Sequence, residues 1–399
     1  MSAKHRFSFG QAQFASGFLA AALVASTIGC SDQQDRSQSR GGSSKASDIA
    51  PEPVAAGELS VLIWEDYISP EVVGKFESTH NAKVRLTEAA NSEEFKQKLS
   101  EDPSAYDLVV TDERTLVELV SLRLLRSFDS KVLSGFQAVD AKFAPPKREA
   151  VQYSVPYLWG LTVLAGKKDV IPDAEPSWDL IWREDLRVGL IDEPFDLIWF
   201  GLIALGYEPE TATEAQIDEV VSKLSKRFPD MTSAMFDPVT GLDALEAGEL
   251  DVLITYNGDG LLRASQNSAI DIVIPREGAP IWIDSFGLTR DAKNPKLAIT
   301  FITYMSLPEP SACNANFLHY ATPIRAAHPH VEKALLNNPD LYPDPSVLAT
   351  CRFVRFPESL EKYVHQAAAR IVTGNRVRPV RTESEPLTSA EKAEIVPED

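Results

Sequence analysis

The chain is poor in cysteine and histidine, with 3 Cys and 6 His in 399 residues. Neither C-x-x-C nor a histidine cluster occurs, so metal-centre and redox-motif readings have no foothold and no metal is expected. G-x-G-x-x-G, P-loop, H-E-x-x-H and G-x-S-x-G motifs are absent, as are internal repeats, and no cofactor is expected. Basic residues are outnumbered, 39 Lys and Arg against 58 Asp and Glu, leaving a formal charge of −19. That sign argues against nucleic acid and anionic membrane surfaces as partners, and it suits a cationic ligand. Beyond Cys30 no apolar run is long enough for a membrane helix. The length is typical of two domains rather than one compact core.

What is present begins with a leader. Lys4 and Arg6 precede an apolar run over residues 14–28, too short to span a bilayer comfortably but suited to a secretory signal. The run ends in T-I-G-C, with Gly29 directly before Cys30. This resembles a bacterial lipobox, although Thr27 stands where Leu is favoured. The expectation is a signal peptide over residues 1–29, a lipidated Cys30, and membrane attachment through that lipid alone; a plain signal peptide is the alternative. Residues 30–56, rich in Ser, Gln, Gly and Asp, read as a flexible tether. Residues 376–399 read as an acidic tail. Cys313 and Cys351 either pair in an oxidising compartment or stay as separate buried thiols.

Strands and helices alternate from Glu58 onward. Strands are expected at residues 59–63, 83–87 and 107–110; helices are expected after the cap Ser69, carrying Val72, Val73 and Phe76, after the cap Asn91, carrying Phe95 and Leu99, and at 114–122. Such alternation indicates a parallel sheet, with ligands beyond its C-terminal strand ends. Residues 153–160, Y-S-V-P-Y-L-W-G, fit neither helix nor turn patterns. A second alternating region has strands at 188–191, 251–256 and 270–274. Pro194 opens a helix there, and Asn257–Gly258 reads as a turn. Glu193 and Asp196, three apart, share one side of that helix start, where acids commonly answer the helix dipole. Residues 317–323 read as a loop-like return, and an amphipathic helix carrying Leu360, Val364 and Ile371 stops at Gly374.

One stretch draws these pieces together: A-P-I-W-I-D-S-F-G, residues 279–287. Its two-residue period sends Trp282 and Asp284 to the same face of a strand. An indole beside a fixed carboxylate makes a seat for an organic ammonium ion. Similar residues recur at strand ends and loops: Trp64, Tyr67, Glu193, Asp196, Tyr256, Trp282, Asp284 and Tyr320. Taken singly, each fits a core or surface role equally well. Together they lack the nucleophile and base that an enzyme requires, so no catalytic residue is assigned. Rings and acids without a nucleophile describe a binding site for cations.

From about Glu58 to Gly374 the chain resembles the bacterial spermidine/putrescine-binding proteins, the substrate-binding components of polyamine ABC transporters. The resemblance rests on I-W-E-D-Y (63–67), Y-D-L-V-V (106–110), Y-S-V-P-Y-L-W-G (153–160), S-W-D-L-I-W (177–182), I-W-I-D-S (281–285), H-Y-A-T-P (319–323) and L-Y-P-D (341–344). It implies an α/β, two-lobed Venus-flytrap fold, each lobe a mixed, mainly parallel sheet flanked by helices. Residues 57–158 and 283–333 would form one lobe, and 159–282 and 334–375 the other. A polyamine would be captured between them and delivered to a membrane permease by a monomeric protein that catalyses nothing. Carried over by position, Trp64, Tyr67 and Tyr320 match aromatic walls, Glu193 and Asp196 an acidic pair, and Trp282 and Asp284 the central indole and principal amine-binding carboxylate. Tyr256 stands where a Trp is usual.

Four positions depart from that pattern. Glu65 replaces a small hydroxyl residue, Asp112 and Arg114 replace a Ser and a Tyr, and Val354 replaces a ligand-contacting Gln. Arg114 is expected to pair with Asp112 or Glu65, or to meet an acidic group on a different ligand. Glu65, Asp112 and Arg114 are therefore further candidate ligand contacts. The rival readings are a polyamine sensor for a membrane signalling protein, a binding protein for another amine or an organic acid, and an extracytoplasmic hydrolase.

Overall fold

The computed structural model describes residues 57–129, 152–171 and 176–373. The leader, Cys30, the tether, Gly374 and the acidic tail lie outside the described residues. The described strands join in one ten-stranded mixed sheet, whose main path runs β2-β1-β3-β9-β4-β7-β5-β6.

Its first part is β1 (Glu58–Trp64), β2 (Lys83–Ala89) and β3 (Leu108–Asp112), with β1 parallel to both neighbours. Leu59, Leu62 and Ile63 of β1 are completely buried, because helices cover both faces of a parallel sheet. Leu62 and Val109 join Phe95 and Leu99 of α2 (Ser92–Glu101) and Leu116 and Leu119 of α3 (Glu113–Ser121) in one core. Leu59 and Ile63 face the larger core together with Phe76 of α1 (Pro70–His80). Asn91 caps α2 as expected, its Oδ1 accepting from Glu94 N at 3.0 Å. Ser69 occupies the cap of α1 without a side-chain cap bond; its backbone N–H donates to Asn314 Oδ1 instead.

The second part contains β5 (Val188–Ile191), β6 (Met235–Phe236) and β7 (Val252–Tyr256), again parallel. Two long strands join the parts: β4 (Val155–Lys167) and β9 (Pro280–Leu288). β9 lies antiparallel between β3 and β4, so Asp284 has Asp112 on one side and Leu158 on the other. β4 pairs with β9 up to Leu161, then with β7 from Thr162 and with β8 (Ile270–Val273) from Leu164. The two parts of the sheet meet along β4 where these partners change.

Three segments differ from the sequence expectation. Residues 153–160 lead into the thirteen-residue strand β4. Its residues from Val155 to Gly166 are all buried, which leaves no polar–apolar alternation to read. Asn257–Gly258 is not a turn but the start of a helix, Asn257–Gln266. Gly258 is required there for close approach: a Cβ would lie 2.4 Å from the Tyr320 ring. Phe317 and Leu318 close a helix, Pro308–Leu318, that ends at His319 with φ 57°. Pro308 and Pro310 fall in its first turn, where a missing N–H costs nothing, so they do not signal a loop. Cys313 and Cys351 are both free.

Candidate ligand-binding site

The site is built on β9. Trp282 and Asp284 project from one face of this strand, as alternation requires. Gly160 is the Cα partner of Trp282 on β4, and a Cβ there would lie 2.3 Å from Trp282 Cζ2. The missing side chain is what lets the indole settle over the strand where the sheet changes partners. Asn257, fully buried, accepts from Leu161 N at 3.1 Å and donates to the Asp340 carbonyl at 2.8 Å. It ties the same point to two other segments.

Aromatic rings surround Trp282. Tyr320 stands edge-on with centroids 4.9 Å apart, and Tyr256, at the end of β7, at 5.6 Å. Tyr67 continues the wall, 5.9 Å from Tyr320, and its carbonyl accepts from the Tyr157 hydroxyl at 3.1 Å. Asp66 turns the chain there through φ 51°, swinging Tyr67 inward after the strand end at Trp64. Trp64 packs on Phe95 at 4.8 Å.

The acids separate into two groups. Asp284 is 6% exposed and has no salt bridge among the described residues. Burial, reinforced by the Asp112 charge, pushes its carboxyl up to about 8; the neighbouring Tyr67 and Trp64 side chains offset only part of this. Asp112 is engaged as the cap of α3, accepting from Thr115 N at 3.0 Å.

Glu193 and Asp196 lie at the start of α4 (Pro194–Ala204), and here the structure corrects the sequence reading of Arg114. Arg114 pairs with neither Asp112 nor Glu65. Its Nη1 donates to Asp196 Oδ1 at 2.6 Å and its Nη2 to Glu193 Oε2 at 3.2 Å. The guanidinium also lies over the Phe195 ring, 4.6 Å from its centroid. Ser92 Oγ adds a bond to Glu193 Oε1 at 3.2 Å. Burial works against the guanidinium charge, yet Asp196, Asp112 and Glu193 hold Arg114 above its ordinary range. Burial pushes Glu193 up to about 8 against the pull of Arg114. Asp196, at the shorter distance, is the principal counter-ion.

The two groups share one neighbourhood. Burial raises the Tyr256 hydroxyl, and so do Glu193, Asp196, Asp284 and Asp112 together. Eight sequence candidates therefore converge: Trp64, Tyr67, Tyr256, Trp282, Asp284 and Tyr320 around the rings, Glu193 and Asp196 beside Arg114. Glu65 does not join them. It is exposed and lies among Glu94, Glu88, Asp66 and Asp237, which together with partial burial raise it. Two cavities of about 330 and 420 Å³ lie elsewhere, one beside Arg126 and Phe128, the other beside Ser69 and Cys313.

Several participants were not singled out from sequence. Asp259 accepts the Tyr320 hydroxyl at 2.6 Å, and burial pushes its carboxyl up to about 6. It follows Tyr256 by three residues, a relation that becomes meaningful only once residues 257–266 are helical. Phe195 and Gly160 carry no polar or charged signature that marks them as site residues, and Asn257 reads in sequence as part of a turn.

The curled mixed sheet with covering helices and two joining strands defines the class: a two-lobed periplasmic-binding-protein fold. A Streptococcus pneumoniae spermidine/putrescine ABC transporter substrate-binding protein shares it with a TM-score of 0.67, at 21% identity, over 79% of this chain and 99% of that one. The chain belongs to the bacterial extracellular solute-binding protein family, whose model matches residues 71–340. It is 26% identical over 286 residues to the spermidine/putrescine-binding periplasmic protein of Escherichia coli, covering 70% of this chain and 82% of that protein. It is 28% identical over 350 residues to the putrescine/agmatine-binding protein of Pseudomonas aeruginosa, covering 80% and 94%.

Proposed function

We propose that this protein captures an organic amine of the polyamine class outside the cytoplasm and passes it to an ABC permease. The observation that carries the reading is Asp284: a buried carboxylate without a cationic partner among the described residues, on the strand face it shares with Trp282, whose ring packs against Tyr256 and Tyr320. A desolvated ammonium against such rings gains about 2 kcal/mol per good contact. Charge-assisted hydrogen bonds to the carboxylate add to that. Relatives that bind spermidine, putrescine or agmatine support the same ligand class.

In this reading Trp64, Tyr67, Tyr256, Trp282 and Tyr320 form the walls and Asp284 the counter-charge. The lobes are residues 57–158 with 283–333, and 159–282 with 334–375. The change of partner along β4 between Leu161 and Thr162 supports a hinge close to that division. Closure around the ligand presents the form that the permease reads. Cys30 carries a lipid that keeps a monomeric protein at the membrane, and the protein has no catalytic step.

Thermal-shift and calorimetric titration of the purified protein tests this. The panel comprises putrescine, spermidine, spermine, agmatine, several amino acids and small organic acids. A ligand at a hundred times its dissociation constant stabilises the native state by about 2.7 kcal/mol, a readily measured shift. A saturable response to an amine is expected. A response to organic acids alone would defeat the assignment.

A further inference from the structure

The site contains more acid than cation, but the acids are not equivalent. Glu193 and Asp196 already hold a cation, because both terminal nitrogens of Arg114 are committed to them. Arg114 comes from α3, and its partners lie 79 and 82 residues away at the head of α4. The Phe195 ring beneath the guanidinium gives it an aromatic face. A carboxylate pair, an aromatic face and a cation form a complete ammonium-type site, with the cation supplied by the chain itself. The pair engages one N–H on each terminal nitrogen and answers the Arg114 charge from within the chain, which weakens the organic-acid alternative. The Asp284 group combines buried acid and rings without a paired cation among the described residues, whereas Asp259, the other acid beside the rings, is engaged by the Tyr320 hydroxyl.

We propose that Arg114 occupies the place a second ligand cation would take, so that the site selects an amine with one cationic end, seated at Asp284, over an α,ω-diammonium. The inference rests on the reading of Asp284 and its rings as an ammonium seat. A second ammonium reaching toward Glu193 and Asp196 meets a guanidinium that is already paired there. It must displace that group or bear its repulsion. Discrimination then comes from a built-in repulsive element rather than from an extra attractive contact. The arginine also ties the head of α4 to α3, so the chain supplies the closing contact that a dication would otherwise make from its far end.

Calorimetry on the full chain decides this with putrescine and two probes of one positive charge, butylamine and N-acetylputrescine. The wild-type protein is expected to bind at least one single-charge probe more tightly than putrescine, by threefold or more. Arg114→Met frees the acidic pair and should favour putrescine over that probe by tenfold or more. Adding Asp196→Asn to Arg114→Met should abolish most of that gain. Wild-type binding of putrescine as tightly as, or more tightly than, both probes overturns the inference, as does a ratio unchanged in Arg114→Met. The wild-type ratio decides the matter alone where a variant fails to fold. If no amine of either kind binds, the ammonium seat itself is wrong, and the inference falls with it.

Discussion

At Asp284 a carboxylate is buried on the strand face it shares with Trp282, and burial with the Asp112 charge pushes its pKa up to about 8. At the head of α4, two half-buried carboxylates are held by a guanidinium at 2.6 and 3.2 Å. The two regions face one neighbourhood and share the same residue chemistry. They differ in whether the counter-charge is part of the chain. Where it is, the fold satisfies itself. Where it is not, burial leaves a carboxyl that gains by receiving an ammonium, and the difference shows which acid is poised to bind and which is structural.

The sharpest way to break this comparison is Asp284→Ala. Truncating one partner of a buried charge pair costs about 2–5 kcal/mol, so amine affinity should fall by roughly thirtyfold or more in calorimetry. Second comes Gly160→Ala, which forces a methyl within 2.3 Å of the Trp282 ring. Overpacking of that kind costs about 1–3 kcal/mol. It should lower the melting temperature and weaken amine binding while leaving the Arg114 contacts untouched; unchanged binding would show that the indole takes no part.

The pH dependence sharpens the contrast further. Folding raises the Asp284 pKa to about 8 from an ordinary value of about 3.9. The folded, ligand-free protein thus keeps a proton that the unfolded chain releases. The resulting stabilisation is fully present below pH about 4 and is lost as pH rises through about 8, at most about 1.4 kcal/mol per unit. Melting temperature without ligand should fall between pH 5 and pH 8, and less steeply in Asp284→Asn. An arriving ammonium charges the carboxyl, so binding at pH 7 should release up to one proton, read as a dependence of the calorimetric heat on buffer ionisation enthalpy. The smallest effect is expected from Glu65→Ala. This exposed residue lies outside the ring cluster, and amine affinity should change by less than threefold in the same titration.

Much of this was legible in residue order. Strands at 59–63, 188–191 and 279–287 appear close to where they were read, because hydrophobic period and Pro or Gly punctuation are local signals. Trp282 and Asp284 share a face for the same local reason. β4 was not legible, because a strand buried on both faces has no period of two. Nor was the role of Asn257 and Gly258: the glycine answers the Tyr320 ring from 62 positions along the chain, not a turn in its own backbone.

The sequence by itself determined the family, the strand–helix order and the set of rings and acids, since each depends on neighbours a few residues apart. Only the tertiary structure decided how those acids divide. Arg114 had two nearby acids as candidate partners, Asp112 and Glu65, and it took two distant ones. The reason is physical: Asp112 is already engaged by the Thr115 N–H at the start of α3, and Glu65 is exposed to water. Packing brings the head of α4 within reach of α3. Ion pairing follows distance in space, and no local pattern in the chain records that distance.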